Sequence, residues 1–460
     1  MSNQGVLDHL ASRHEAILEE LIDFASIPSV STDPAHAADM CTAAGWVSHA
    51  LGRAGPFTVR TIATPGNPIV YGEWLGAPGK LTVLVYGHYD VQPADPLEKW
   101  TSPPFTPTLR NGRLYARGVS DDKGPMLIPI KVAESFFAIA KELPVNVKCM
   151  FEGEEEIGSA NLDAFIRDNA KMLAADVVLS ADGAMWRIDE PSLTVSSRGL
   201  AGLELTLTAA SKDLHSGRHG GGVANPLHAM AELIASLHEP SGRVAVAGFY
   251  DRVRELTPAE RTDIAALPFD ETTYLAQVGA PEAFGEPGYT TLERQWTRPT
   301  LEVNGMWGGY SGPGQKTVIP SEAHAKITSR LVPDQDPAEI VALVKRHLES
   351  HVPRGVRLSI TPEDHGARAA HIKTSHFALA AADTALHAVY GVRPLTVRMG
   401  GTVPISELFQ RHMGLDTVFF SFSTADEDYH APNEFFRVHR LHEGLEAWAH
   451  YWEILGEVPR

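Results

Sequence analysis

The 460-residue chain contains only two cysteines, Cys41 and Cys149. Two distant thiols form neither a disulfide framework nor a cysteine-rich zinc site, and so few cysteines predict a reducing compartment. No run of the sequence approaches the roughly 18 apolar residues that a membrane helix needs. The N-terminal stretch lacks the basic and apolar segments of a secretory signal. We therefore expect a cytoplasmic protein that does not contact a membrane.

Basic residues are also scarce relative to acidic ones. The chain has 39 Lys and Arg against 57 Asp and Glu, a formal net charge of −18. Surfaces that bind nucleic acid or anionic lipid need the opposite balance, so we expect neither as a partner. A hydrophobic content of 43% and a charged content of 21% are ordinary for a globular protein and exclude wholesale disorder.

The first part of the chain and its last part share an α/β pattern. Leu10, Ile17 and Leu21 lie at helical spacing, and Ile27-Pro28 predicts the end of that helix. From about residue 80, and again after about residue 371, short apolar runs alternate with helix-like segments. This alternation predicts a catalytic domain with a mixed, mostly parallel sheet flanked by helices.

The middle of the chain has a different pattern, with strands that alternate apolar and polar residues. Asn225-Pro226 and Asp336-Pro337 each predict a helix start, because Asn or Asp caps the helix and proline suits its first turn. We predict an inserted α+β domain over 201–370, between the catalytic-domain parts 1–200 and 371–460. The stretch 240–300 has weak periodicity and allows no structural or functional prediction.

Four apolar runs are followed by side chains that bind metals or transfer protons. In open α/β sheets, ligands bind outside the carboxyl ends of the strands, so these side chains should converge on one crevice. A fifth candidate segment, 118–124, precedes a predicted helix and contains two aspartates. The candidate residues are His88, Asp90, Asp121, Asp122, Glu154, Glu155, Glu156, Asp182 and His430.

Each of these residues has an ordinary explanation when taken alone, such as a surface histidine, a solvated acidic turn or a helix cap. Five such coincidences at strand ends favour one shared metal or acid–base centre. Imidazole and carboxylate ligands suit Zn²⁺, and also Mn²⁺ or Co²⁺. Two ions carry about +4, which three carboxylates and one hydroxide balance. Asp90 is placed to fix the tautomer of His88.

The same segments resemble the M20 family of metallopeptidases, in particular its dipeptidase branch of carnosinase-like and cytosolic nonspecific dipeptidases. They appear in the family's order and span most of the chain. The resembling segments are GHYDVQP at 87–93, RGVSDDKGP at 117–125, EGEEEIGS at 152–159, DLHSG at 213–217, GPGQKTVIP at 312–320 and RLVP at 330–333.

The resemblance implies a site with two divalent metal ions, expected to be zinc, with manganese or cobalt as alternatives. His88 and Asp182 would hold one ion, and Glu156 and His430 the other. Asp121 would bridge both ions, and the peptide between Asp121 and Asp122 would be cis, as it is in relatives. The implied reaction is cleavage of the peptide bond in dipeptides or very short peptides by water activated between the ions.

The resemblance also implies roles outside the metal ligands. Glu155 would be the general base, a register that Gly158-Ser159 favours over Glu154. The inserted domain would be a lid and the contact of a homodimer, through which His215 reaches the partner's active site and stabilises the oxyanion. Arg330 would pair with the substrate carboxylate. Thr317, Gly401 and Thr402 would hold the substrate backbone.

Three other functions stay open from the sequence. Deacylation of N-acyl amino acids would use the same metal cluster, although the 311–317 stretch favours the dipeptidase branch. A non-catalytic homologue would be expected to have lost the base or the bridging carboxylate, and Glu155 and Asp121 are both present. A serine hydrolase is a third possibility, but the nearest nucleophile elbow, 309–313, lacks its final glycine.

Overall fold

The computed structural model describes residues 4–363 and 366–459 and divides the chain into two compact units. The first unit contains the chain up to Val195, the segment Ile372–Val397 and the chain from Leu408 onward. The second unit consists of Ser196–His371 and the short segment Arg398–Glu407. The second unit thus consists of one long segment and one short segment, and the two are separated in the sequence by residues of the first unit.

The strands and helices of the described residues are numbered in chain order. The strands are β1 Thr58–Ile62, β2 Ile69–Trp74, β3 Thr82–His88, β4 Thr108–Arg110, β5 Arg113–Tyr115, β6 Asn146–Glu152, β7 Val177–Ser180, β8 Ser192–Ser197, β9 Gly199–Thr208, β10 Leu214–His215, β11 Thr300–Gly308, β12 Val318–Ile319, β13 Glu322–Leu331, β14 Arg357–Pro362, β15 Leu395–Met399, β16 Thr417–Phe419 and β17 Phe435–Arg437. The helices are α1 Gln4–Ser12, α2 His14–Ala25, α3 Ala37–Ala54, α4 Gly124–Ile139, α5 Leu162–Asp168, α6 Ala170–Leu173, α7 Ser216–His219, α8 Pro226–Ala235, α9 Pro258–Ala265, α10 Glu271–Val278, α11 Thr291–Thr297, α12 Pro337–Ser350, α13 Phe377–Tyr390, α14 Pro404–Met413 and α15 Val438–Glu457.

The first unit is built on a six-stranded mixed sheet in the order β1-β2-β6-β3-β7-β16. Strands β3, β6, β7 and β16 run parallel, whereas β2 pairs antiparallel with β6 and β1 antiparallel with β2. All seven residues of both β3 and β6 are buried, as expected for parallel strands that are covered on both faces. The predicted mixed, mostly parallel sheet is confirmed.

Helices α4 and α15 form much of the apolar core of the first unit. Helix α4 is buried along nearly its whole length, and Trp448 and Trp452 of α15 pack in the same core. Helix α4, the helix predicted to follow the segment 118–124, starts at Gly124 and ends at Ile139, shortly before Lys141 takes a left-handed φ of 66°. The single helix predicted for the N-terminal stretch is wrong, since it is interrupted at Arg13 between α1 and α2.

The second unit has an antiparallel sheet in the order β11-β13-β9-β14. Helices α8 and α12 contribute Met230, Leu233 and Val344 to one core with Leu205 and Leu207 of β9. Both predicted helix starts are confirmed, because Asn225 and Asp336 accept hydrogen bonds from the backbone of their first turns.

The stretch 240–300 contains three short helices, α9, α10 and α11. Capping boxes begin two of them, formed by Thr257 with Glu260 and by Thr290 with Glu293. The helices are only eight, eight and seven residues long, too short to show a clear period in the sequence. Within 4–363 and 366–459, no helix combines the length and the apolar character that crossing a membrane requires.

Candidate metal centre

The predicted metal ligands of the first unit lie at the carboxyl ends of its parallel strands. His88 is the last residue of β3, and Asp182 follows β7 by two residues. Glu156 lies in a helical turn, Glu155–Ile157, that comes shortly after β6. His430 lies in the loop between β16 and β17, and Asp121 in the turn Val119–Lys123 before α4.

These five side chains form two groups that share one member. The ligand atoms of His88, Asp121 and Asp182 all lie within 4.8 Å of one another, and so do those of Asp121, Glu156 and His430. The five predicted ligands are therefore brought together, with Asp121 common to both groups. The carboxylate of Glu155 belongs to neither group, as a general base outside the ligand set requires.

The two oxygens of Asp121 face two different imidazoles. Its Oδ1 lies 3.0 Å from Nε2 of His88, and its Oδ2 lies 3.0 Å from Nε2 of His430. The peptide between Asp121 and Asp122 is cis, as the resemblance implied. This carboxylate therefore has the orientation that a bridge between two metal ions needs.

A buried carboxylate that the sequence analysis missed holds the turn before Asp121. Oε1 of Glu434 accepts hydrogen bonds from the amides of Ser120 (2.9 Å) and Asp121 (3.2 Å). Its Oε2 accepts from the amide of Gly118 (2.8 Å) and from Nη1 of Arg117 (2.7 Å). Glu434 is fully buried, so both oxygens depend on these donors. No spacing signal links it to Asp121, which lies more than 300 positions away.

Asp90 connects the first strand end to the acidic turn. Nδ1 of His88 lies 3.1 Å from the carbonyl oxygen of Asp90 and 3.4 Å from its Oδ1. The Asp90 carboxylate also accepts hydrogen bonds from the amides of Glu155 (3.3 Å) and Glu156 (3.1 Å). Asp90 therefore orients His88 and also positions the candidate base and its neighbour.

The two neighbours of Glu155 make contacts of different kinds. Glu154 is buried and accepts from the amide of Asn67 (3.0 Å) and from Nδ2 of Asn161 (2.8 Å). Glu156 accepts from Nε2 of Gln92 (2.7 Å) and lies 3.2 Å from Nε2 of His430. Glu154 therefore has a structural role, which agrees with the register chosen for the base. The contact of Gln92 is a further one that sequence reasoning missed.

The carboxylates around the two imidazoles of the centre raise the pKa values of both rings. Burial lowers the pKa of His88, but hydrogen bonds to Asp121 and Asp90 outweigh it and raise that pKa well above its ordinary value. Hydrogen bonds to Asp121 and then Glu156 raise the pKa of His430 to about 10. Both shifts report the excess of carboxylates around the two rings.

The carboxylates respond to the same crowding. Burial, reinforced by Asp121 and Glu156, raises the pKa of Asp182 to about 6 although His88 opposes it. Burial also raises the pKa of Glu155 well above its ordinary value. Cations close to these acids would stabilise them in their charged form. Three carboxylates and two imidazoles around a shared bridge form a donor set that fits two divalent metal ions.

The predicted substrate residues lie in the second unit, and several of them contact one another. Nη1 of Arg330 donates to Oγ1 of Thr402 (2.8 Å). The carbonyl of Gly401 accepts from the amide of Arg198 (2.9 Å), and the carbonyl of Gly400 accepts from its Nε (2.8 Å). Burial, and then the charge of Arg330, lowers the pKa of Arg198 to about 10. The structure therefore brings together Arg330, Gly401 and Thr402, and adds Arg198.

His215 lies on a small ribbon of the second unit, where β10 pairs with β12, and Thr317 directly precedes β12. His215 is exposed, and its Nδ1 accepts a hydrogen bond from the amide of Gly217 (3.0 Å). A neutral ring with this contact carries its proton on Nε2, where it can donate to an oxyanion. The carbonyl of Thr317 accepts from the amide of Ser216 (3.0 Å), which ties the two predicted residues together.

Comparison with known proteins assigns the chain to a family. The profile of "Peptidase family M20/M25/M40" matches residues 84–454. The chain belongs to this family. All five candidate ligands and Glu155 lie within the matched region, and the confirmed family resemblance extends across both units.

Individual relatives align with the M20 chain over most of its length. It is 30% identical to the "Cys-Gly metallodipeptidase dug1" of Schizosaccharomyces pombe, covering 100% of this chain and 99% of the relative. It is 31% identical to the human "Beta-Ala-His dipeptidase", covering 86% and 78%. The solved structure of the M20 family metallo-carboxypeptidase Sso-CP2 from Sulfolobus solfataricus is 33% identical and superimposes with a TM-score of 0.84, covering 96% and 99%.

Proposed function

We propose that this M20 chain hydrolyses the peptide bond of dipeptides and other very short peptides at a centre of two divalent metal ions. The observation that carries the proposal is the Asp121 carboxylate shared between two ligand groups. Two relatives that align over most of the chain are named as dipeptidases, which supports the same substrate class.

In this proposal His88 and Asp182 hold one ion, Glu156 and His430 hold the other, and Asp121 holds both. Imidazole and carboxylate ligands favour zinc, with manganese or cobalt as alternatives. When bound, the ions would lower the pKa of a water molecule and polarise the carbonyl of the scissile bond.

Glu155 is the proposed general base. Its raised pKa suits a group that takes a proton from the attacking water and passes it to the leaving amine. Asp90 holds the backbone of the base and of the next residue, because its carboxylate accepts hydrogen bonds from the amides of Glu155 and Glu156. It also orients His88, so one carboxylate positions both the base and a ligand.

We propose that Arg330 binds the substrate's terminal carboxylate. A guanidinium matches a carboxylate in a two-pronged contact, and Thr402 keeps Arg330 in place through its hydroxyl. Gly401, Thr402 and Thr317 would contact the substrate backbone. Burial, and then the charge of Arg330, lowers the pKa of the neighbouring Arg198, so the two cations lie close enough together to favour an anionic substrate group.

We propose a homodimer formed by the inserted domain, with 201–370 as its predicted extent and the catalytic domain over 1–200 and 371–460. The edge strand β11 supports this assignment, because it pairs with β13 alone and carries Val303, Met306 and Trp307 with exposed side chains. In the dimer, the partner subunit's His215 would donate from Nε2 to the oxyanion of the transition state.

We propose a cytoplasmic location because the two cysteines form no disulfide bond. Cys41 and Cys149 are both free, and Cys149 is buried, where an oxidising compartment would give it no partner. The acidic composition argues against nucleic acid as a partner.

The decisive experiment compares substrates on metal-free enzyme and on enzyme reconstituted with Zn²⁺, Mn²⁺ or Co²⁺. We expect a higher kcat/KM for Ala-Ala than for N-acetyl-alanine, and activity only after metal is restored. A preference for N-acetyl-alanine would indicate an amidohydrolase of acyl amino acids. Full metal occupancy without turnover would indicate a non-catalytic homologue, and turnover insensitive to chelators would favour a serine hydrolase.

A further inference from the structure

The second unit contains a cavity to which the proposed hydrolysis assigns no role. It is a small pocket that is partly open to solvent. Arg254, His371 and Arg398 line it together with Ser196 and the ring of Trp296. Among the described residues that line this cavity there is no aspartate or glutamate, so its charged groups are cationic.

Arg398 is the buried charge of this cavity, with 7% of its surface exposed. Its Nη1 is buried and has no hydrogen-bond partner in the described part of the chain. Its Nη2 lies 3.5 Å from Oε1 of Glu260. Buried donors are almost always paired, so this guanidinium N–H lacks an acceptor that a bound oxyanion would supply.

One carboxylate serves two guanidiniums at this place. The same Oε1 of Glu260 accepts a closer hydrogen bond from Nη2 of Arg254 (2.8 Å), so Glu260 cannot neutralise both arginines. Partial burial, and then the charges of Arg254 and Arg398, lowers the pKa of His371. Glu260 and Asp263 act on Arg398 in the opposite direction, and Glu260 and Asp334 do so on His371. The two guanidiniums of the cavity therefore share the single charge of Glu260 as their contacting carboxylate.

We propose that this cavity binds a small oxyanion, a carboxylate or a phosphate, on Arg398. The planar guanidinium presents parallel N–H donors to two oxygens of such an anion, and Arg254 adds a second cation. Ser196, His371 and Arg398 begin or end the two chain segments of the second unit. A bound anion would therefore hold the ends of these segments together and stabilise the unit.

The binding test uses isothermal calorimetry on the metal-loaded enzyme, with inorganic phosphate and acetate as separate probes. We expect Arg398→Gln to weaken the binding of the preferred probe by about tenfold or more, since a charged hydrogen-bonding group is lost. Arg354→Gln is the matched control, because it removes the same charge from an exposed position of the same unit and should leave binding unchanged. Phosphate that binds at the metal centre would still bind in both variants. The test therefore compares only the part of the phosphate binding that is lost in Arg398→Gln.

A second variant guards against misfolding of Arg398→Gln. Arg254 is exposed, so Arg254→Gln should fold and should also weaken binding of the same probe. The wild-type melting temperature should rise with the probe, and less so in either variant. Binding of phosphate alone or of acetate alone supports the proposal and identifies the anion. The proposal is overturned when neither probe binds, or when folded Arg398→Gln or Arg254→Gln protein binds as the wild type does.

Discussion

Replacing Glu434 by glutamine tests whether the turn before Asp121 is held by this carboxylate. A glutamine keeps one acceptor oxygen and places an amide NH₂ group against two of the four donors, which lie at 2.7–3.2 Å. Two hydrogen bonds to a charged group are lost, each worth about 1.5–3 kcal/mol. The expected loss is therefore about 3–6 kcal/mol, a large part of the stability of about 5–15 kcal/mol typical of a folded protein.

The effect of this substitution on metal affinity can be measured separately from its effect on the stability of the fold. Because Glu434 binds the amide of Asp121 directly, we expect metal affinity to fall about 10–100-fold, the usual effect of a partner behind a ligand. Burial raises the pKa of Glu434 to about 7, so the comparison belongs near pH 8, where the carboxylate is charged.

The assay is metal content and hydrolysis rate as functions of free metal, measured on the folded fraction. We expect Glu434→Gln to recover activity at high metal concentration. Glu443→Gln is the control, because Glu443 also pairs with an arginine, Arg440 (3.1 Å), but contacts no candidate ligand. Unchanged metal affinity in folded Glu434→Gln protein would refute the positioning role.

The remaining predictions concern the substrate step. Glu155→Gln should keep both metals and lose rate by about 10²–10⁴, the usual contribution of a general base, whereas Glu154→Gln should retain the chemistry; metal analysis with steady-state rates checks this, and loss of metal from Glu155→Gln would contradict it. His215→Ala should lose about 2.7–4 kcal/mol of transition-state stabilisation. Mixing it with Glu155→Gln protein should restore some activity if His215 acts across a dimer, and subunit exchange without recovery would argue against that geometry. Arg330→Ala should raise KM for peptides with a free carboxylate and matter less for C-terminal amides, and an equal effect on both would remove its proposed role.

The sequence predicted those parts of the fold that depend on local pattern. Apolar runs predicted β3, β6 and β7, and capping residues predicted the starts of α8 and α12. Both signals depend on only a few neighbouring residues. The apolar run from Val418 to Phe422 predicts a longer strand than β16, of which only 417–419 pair with β7. The break at Arg13 was missed because both flanking helices bury one face in the same core.

The candidate site also contains residues that the local sequence pattern predicts and residues that it does not. His88, Asp182 and Glu156 follow strands, so the rule for strand ends brought them together from the sequence alone. Glu434 and Gln92 were missed because a hydrogen-bond acceptor or donor in the tertiary structure leaves no spacing in the chain. The return of 398–407 to the second unit was missed for a related reason, since its partners, such as Arg198 and Arg330, are distant in sequence.

The carboxylate of Asp121 belongs to both ligand groups, so the binding of metal at the two positions should be coupled. Asp121 would be a ligand of both ions, so the loss of one ion would change the charge on a ligand of the other, and the two affinities would be linked thermodynamically. A metal titration of this enzyme should then report the loading of a pair, with stepwise constants that belong to neither position alone.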